Sequence, residues 1–153
     1  MFDPFFPAHE LQYYWKSAYL ADLGEEATRT IAEHVAARPS ALTMVGTWAL
    51  GGALGRMDAT ATAAGAEGAP YLLEILANWA DPAEADANID WARTFFDAMR
   101  PFGTGKTNVN FPGLGDDEEF GRAAFGDNWG RLVEVKRKYD PTNLLRLNQN
   151  IQP

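Results

Sequence analysis

Strand-like and helix-like patterns alternate along the chain. "QYYWKSAYL" (12–20) is aromatic-rich and reads as extended, and "SALTMVGTWAL" (40–50) alternates apolar and polar positions with period two before "GGALG" ends it. "PYLLEILANW" (70–79) suits a helix or a strand, and its aromatic and β-branched content and short length favour a strand. "TNVNF" (107–111) reads as a fourth short strand. Helical spacing governs three other stretches. In 22–38, Asp22 and Glu25 form a capping-box pattern, and Ala27, Ile31 and Val35 form a stripe. After 79, Asp81 is placed as N-cap, Pro82 at the first helical position and Glu84 as the box partner. Ile89, Ala92, Phe96 and Met99 then share a face until Pro101 stops the helix. A last helix is expected from Asp127, its cap, to Tyr139, ended by Asp140-Pro141; the tail that follows is irregular and amide-rich. The expected fold is one α+β domain over residues 1–153, a mostly antiparallel sheet of four to five strands with helices on one face.

Alternation also divides each strand into two faces. Tyr13, Trp15, Ser17 and Tyr19 oppose Gln12, Tyr14, Lys16 and Ala18; Leu42, Met44, Trp48 and Leu50 oppose Ala41, Thr43, Val45 and Thr47. Tyr71, Leu73, Ile75 and Trp79 oppose Leu72, Glu74, Leu76 and Asn78. With the more apolar faces on the helices, the open surface should carry Tyr14, Lys16, Thr47, Glu74, Asn78, Asn108 and Asn110 among Val45, Leu72 and Leu76.

Charge and composition narrow the partners. A net charge of −8 with 13 Lys and Arg leaves too few cations to neutralise a run of phosphates, which argues against nucleic acid. The basic run Lys136-Arg137-Lys138 reads as a solvated helix face. The absence of cysteine removes disulfides, thiolate nucleophiles and sulfur metal ligands, and His9 and His34 stand far apart, so no metal is expected. No signal peptide or transmembrane run is seen, so a cytoplasmic location is expected. Gly105-Lys106-Thr107 ends like a phosphate-binding P-loop, but Arg100 stands where the opening glycine belongs and "NVNF" is strand-like where a helix must follow.

The C-terminal stretch "RLVEVKRKYDPTNLLRLNQNIQP" (131–153) closely resembles the C-terminal signature of the berberine-bridge-enzyme-like family of FAD-linked oxidases. "YYWKSAYL", "LGGALGRM", "NVNF" and "AFGDNWGRL" resemble further family segments in order, and they place Gly105-Lys106-Thr107 at the turn into the family's Y-x-N strand. The resemblance covers nearly the whole chain but only the C-terminal part of a family member. It implies a free-standing substrate lobe without the N-terminal domain that chiefly holds FAD. Asn108 stands where the family carries Tyr, and Asn110 keeps the second asparagine of the motif. In "TAAGAEG" (62–68), Ala66 and Glu67 replace a family His and Arg.

These departures favour a flavin-independent enzyme that binds an apolar, natural-product-like small molecule and guides cyclisation, isomerisation or elimination. Asn108 and Asn110 would act as oxygen-directed donors, Tyr14, Lys16 or Glu74 as proton carriers, with Thr47, Val45, Leu72, Leu76 and Asn78 lining the substrate. The alternatives are a fragment or subunit of an FAD-linked oxidoreductase and a non-catalytic binding protein. No cofactor is expected for the isolated chain, and FAD if it works with a separate flavin domain. Plainer readings stand beside these: Glu74 and Lys16 as a solvated cross-strand pair, Tyr14 and Trp48 as packing aromatics, Asp116 to Glu119 as a solvated turn, and Asn143, Asn148 and Asn150 as ties for the tail. An uncovered sheet face also leads to the expectation of a homodimer or a flavin-domain partner.

Overall fold

A computed structural model describes residues 10–58, 60–63, 68–111, 121–122, 124–147 and 150–153. Its strands are β1 (Gln12–Leu20), β2 (Met44–Ala49) and β3 (Tyr71–Trp79), and its long helices are α1 (Glu25–Ala36), α2 (Ala85–Met99) and α3 (Trp129–Tyr139). The sheet is antiparallel with order β1-β3-β2, so β3 is paired on both edges. The fold is therefore α+β as expected, with three strands among the described residues in place of four to five. No helix among them is long and apolar enough to cross a membrane.

Burial follows from the alternation. Leu73, Ile75, Ala77 and Trp79 of β3 join Tyr14, Ala18 and Leu20 of β1 in one core, sealed by Trp91, Ala92, Phe95 and Met99 of α2 and Ala27 of α1. Period two along the strands meets the apolar stripe of α2. The indole N–H of Trp91 donates to the carbonyl of His34 at 3.0 Å, and the His34 ring stacks on Phe95 with centroids 4.8 Å apart. The two helices are thereby tied to each other as well as to the sheet.

The start of α2 matches its sequence signal. The Asp81 carboxylate accepts from the backbone N–H of Ala83 at 2.9 Å, a 3-10 turn at Pro82–Glu84 leads in, and a second at Arg100–Phe102 closes the helix at Pro101. Two other expected caps differ. Helix α1 begins after Gly24, whose missing side chain caps nothing, so Asp22 is not the cap. Asp127 lies inside the 3-10 turn Gly126–Asn128, and Asn128 precedes α3 without a side-chain cap bond.

The expected strand at 107–111 is an irregular segment latched to the edge of β1. The Thr107 hydroxyl donates to the Ser17 carbonyl at 2.7 Å, and the backbone N–H of Asn108 donates to the Ser17 hydroxyl at 3.1 Å. The Asn108 side-chain oxygen then accepts from the N–H of Asn110 at 3.0 Å, and the N–H of Phe111 donates to the Asn108 carbonyl at 3.1 Å. This local turn takes backbone groups that a ladder would need. Just upstream, Thr104 and Lys106 pair with both backbone groups of Tyr19, around Gly105, whose φ of +80° suits glycine.

Candidate functional site

The face of the sheet away from the helices carries the site. In register, β3 places Leu76 between Trp15 and Met44, Glu74 between Ser17 and Gly46, and Leu72 between Tyr19 and Trp48. Large side chains thus fill the outer rows, while the central row pairs a carboxylate with two of the smallest residues. Glu74, half-buried, thus stands between two small residues at the middle of that face, called the trough below. Trp48, 56% exposed, leans across the space above Gly46, and its indole N–H donates to a Glu74 carboxylate oxygen at 2.8 Å. A Cβ built on Gly46 would lie 3.6 Å from that indole nitrogen and 3.9 Å from the carboxylate, so Trp48 occupies the room that the glycine leaves.

The ends of the trough are more ordered. The Trp15 indole N–H donates to the Asn78 side-chain oxygen at 2.8 Å, the Asn78 amide donates to the Leu42 carbonyl at 3.2 Å, and Thr43 completes the network. Trp15 also meets Phe111, with centroids 5.7 Å apart. At the other end Tyr19 packs with Ala69 and Leu72, and burial raises its phenol pKa above the ordinary value.

The structure separates the residues expected to share the open face. Glu74, Asn78, Leu72 and Leu76 are on it, and the 107–111 latch brings Asn108 and Asn110 to its edge through Ser17. Tyr14, Lys16, Val45 and Thr47 are on the helix face, so that part of the expectation is corrected. The reason is their amphipathic character. Tyr14 is buried, and its hydroxyl accepts from Arg93 of α2 at 3.2 Å; the Lys16 ammonium reaches over the Phe96 ring at 4.5 Å. A tyrosine tip and a lysine stem let positions that look polar in sequence cover a core. Thr47 is exposed at the β2 edge, opposite Leu73.

Sequence reading missed Ser17, Gly46 and the pairing of Trp48 with Glu74. The signal available was a glycine inside a strand, which marks a close approach by another group. Asn78 proves to be a buried structural amide, its oxygen and its N–H both bonded. In the tail, Asn143 donates to the Gln152 side chain at 3.3 Å, but the main tie is a clamp in which the Asp140 carboxylate accepts from the Lys136 ammonium and from the backbone N–H groups of Leu144 at 2.7 Å and Leu145 at 2.9 Å. His9, Ala66, Glu67, Asp116 to Glu119 and Asn148 lie outside the described residues.

A helix-backed antiparallel sheet whose other face carries aromatic side chains and a half-buried carboxylate defines a two-layer α+β lobe. Residues 77–152 match the family described as berberine and berberine like. An uncharacterised FAD-linked oxidoreductase, YgaK of Bacillus subtilis (strain 168), is 34% identical over 131 residues, which is 86% of this chain and 29% of that protein. Berberine bridge enzyme-like 2 of Arabidopsis thaliana is 36% identical over 98 residues, 53% of this chain and 18% of that protein. Among solved structures, a chitooligosaccharide oxidase superposes with a TM-score of 0.81 at 21% identity, over 97% of this chain and 34% of that one. Aclacinomycin oxidoreductase superposes with a TM-score of 0.78 at 23% identity, over 93% and 32%. The chain belongs to the berberine-bridge-enzyme-like family of FAD-linked oxidoreductases, and it spans about 29% of the length of the Bacillus relative.

FAD carries a diphosphate, which requires cations or converging N–H donors. Among the described residues of the open face, the one charged side chain is Glu74, which repels phosphate. These residues offer no cation to the dinucleotide's phosphates.

Proposed function

We propose that this chain is the substrate-side lobe of an FAD-linked oxidoreductase, and that the Ser17–Glu74–Gly46 trough is where a ring-bearing, hydroxyl-carrying small molecule lies. The observation that carries this reading is the carboxylate held by Trp48 between two small residues on the sheet face away from the helices. Its kinship to FAD-linked oxidoreductases over most of its length supports the redox class. The chitooligosaccharide oxidase among its fold relatives is in keeping with a hydroxylated substrate. FAD, carried by another part of the assembly, would supply the oxidising power. The role of this chain is to bind, orient and take a proton.

Glu74 accepts the hydroxyl proton of the bound molecule. The Trp48 indole N–H holds one carboxylate oxygen, which fixes the rotamer and leaves the other for the substrate. The exposed indole and the Tyr13 ring offer flat apolar surface to the substrate ring. Asn108 and Asn110, at the edge of the trough, orient substrate oxygens through their side-chain amides.

The test is turnover of the chain together with a flavin-bearing part. Glu74→Gln should lower kcat by about a hundredfold or more while the far-UV spectrum is unchanged. Asn108→Ala should lower it less. Unchanged kcat in Glu74→Gln would remove the proton role. Turnover by the colourless chain alone would favour the flavin-independent alternative.

A further inference from the structure

The helix side of the sheet carries a cluster of donors that the trough does not use. On β1, Tyr14 and Lys16 stand two residues apart and point to the same side; on α2, Arg93 and Phe96 stand one turn apart and meet them. Tyr14 is 3% exposed, Lys16 is half-buried and Arg93 is exposed, so the cluster runs from the core to the surface. The Arg93 guanidinium carbon lies 5.6 Å from the centre of the Tyr14 ring, and the Lys16 ammonium lies 6.0 Å from it. Two cations thus share one aromatic ring, and the Phe96 ring holds the ammonium at 4.5 Å.

Donors outnumber acceptors here. The Tyr14 hydroxyl spends a lone pair on the Arg93 Nε–H at 3.2 Å, and its own proton has no acceptor among the described residues. The terminal nitrogens of Arg93 and the Lys16 ammonium donate to no protein oxygen there either, and neither cation makes an ion pair. The Arg93 pKa is raised first by the Tyr14 hydroxyl and only last by Asp90, one turn back on α2, so Asp90 is a neighbour and not a partner. The chain has 21 Asp and Glu against 13 Lys and Arg, yet none of those carboxylates neutralises this pair. Like charges gathered on one ring repel, and a bound anion removes that cost. A guanidinium fork also fits the paired oxygens of a carboxylate or phosphate. We infer that Tyr14, Lys16 and Arg93 form a binding site for one oxyanion group, the carboxylate or phosphate of a small ligand, on the opposite side of the sheet from Glu74. The site stands independently of the functional reading above.

The probes are acetate and inorganic phosphate, each titrated into the whole chain at constant ionic strength and neutral pH. The readout is the NMR shift of the backbone amides of residues 14–16 and 93–96. At least one of the two anions should give a saturable shift centred on those residues. Lys16→Met and Arg93→Met, which keep the apolar stems, should each weaken that binding at least about fivefold, and Tyr14→Phe should weaken it as well. Should Tyr14→Phe fail to fold, the exposed Arg93→Met still decides the outcome. Lys138→Met, which removes a cation resting 5.1 Å from the centre of the Tyr139 ring, should bind like wild type. Tighter binding of phosphate assigns the site to a phosphorylated ligand, and tighter binding of acetate to a carboxylic acid; either supports it. Shifts that never saturate, shifts spread evenly over the surface, or binding that survives both methionine variants would overturn it.

Discussion

Glu74 draws its setting from two of its smallest neighbours. Ser17 and Gly46 flank it with little bulk, and the large neighbours lie one row away, so the carboxylate is half-buried while its strand is fixed on both sides. A methyl at position 46 would meet Trp48 at ordinary contact distance, so Gly46→Ala should retain the Trp48–Glu74 bond. Gly46→Leu should push the indole off the carboxylate. The check is the Trp48 indole N–H resonance, unmoved in the first variant and shifted in the second. The Asp140 clamp makes a pH prediction. The Lys136 ammonium, then the Leu145 and Leu144 N–H groups, hold its pKa below the ordinary carboxylate range. A depressed folded-state pKa means the clamp contributes fully above about pH 4 and is lost as pH falls through the lowered value. Hydrogen exchange at Leu144 and Leu145 should therefore accelerate in acid, and in Asp140→Asn at neutral pH. Protection unchanged in that variant would show the tail held by other means.

At the scale of elements, β3 and the Ser17–Thr107 latch organise the molecule. Phe95 is fully buried where α2 meets β3, so Phe95→Ala should cost about 3–5 kcal/mol, read from the denaturant midpoint. Ser17→Ala removes the hydroxyl that accepts from Asn108, leaving buried polar groups short of a partner, and should cost about 1–3 kcal/mol. It should also free the 107–111 segment, visible as faster exchange at Asn108 with Thr104 unchanged. The strands at 12–20, 40–50 and 70–79 and the helix after Asp81-Pro82 were legible because alternation, capping chemistry and proline placement agreed there. The faces of β1 and β2 were not. Tyr14 and Lys16 look like surface residues until Arg93 and Phe96, about eighty positions away, give their tips a destination. The strand expected at 107–111 failed for a similar reason: asparagine side chains there close a turn, and the partner groups belong to Ser17. The trough itself depends on which residues of three strands lie side by side, and periodicity within one strand does not contain that register.

As a whole, the molecule has helices on one face of the sheet, the Trp48–Glu74 pair on the other, and a clamped tail with exposed leucines at the end of the chain. Family membership was legible in the tail, where residues 131–153 carry the signature. The chain free in solution, with its leucines uncovered, should aggregate more readily than the Leu144→Asp, Leu147→Asp variant, which light scattering on heating would show.

The strict alternation of β3 has an evolutionary consequence. Leu73, Ile75 and Ala77 pack on the helices, while Leu72, Glu74 and Leu76 belong to the other side of the sheet, and the two sets share a backbone but not one core cluster. Substitutions on the outward letters can therefore change that face while leaving the helix-facing core in place. One scaffold can drift among many chemistries without passing through an unfolded ancestor.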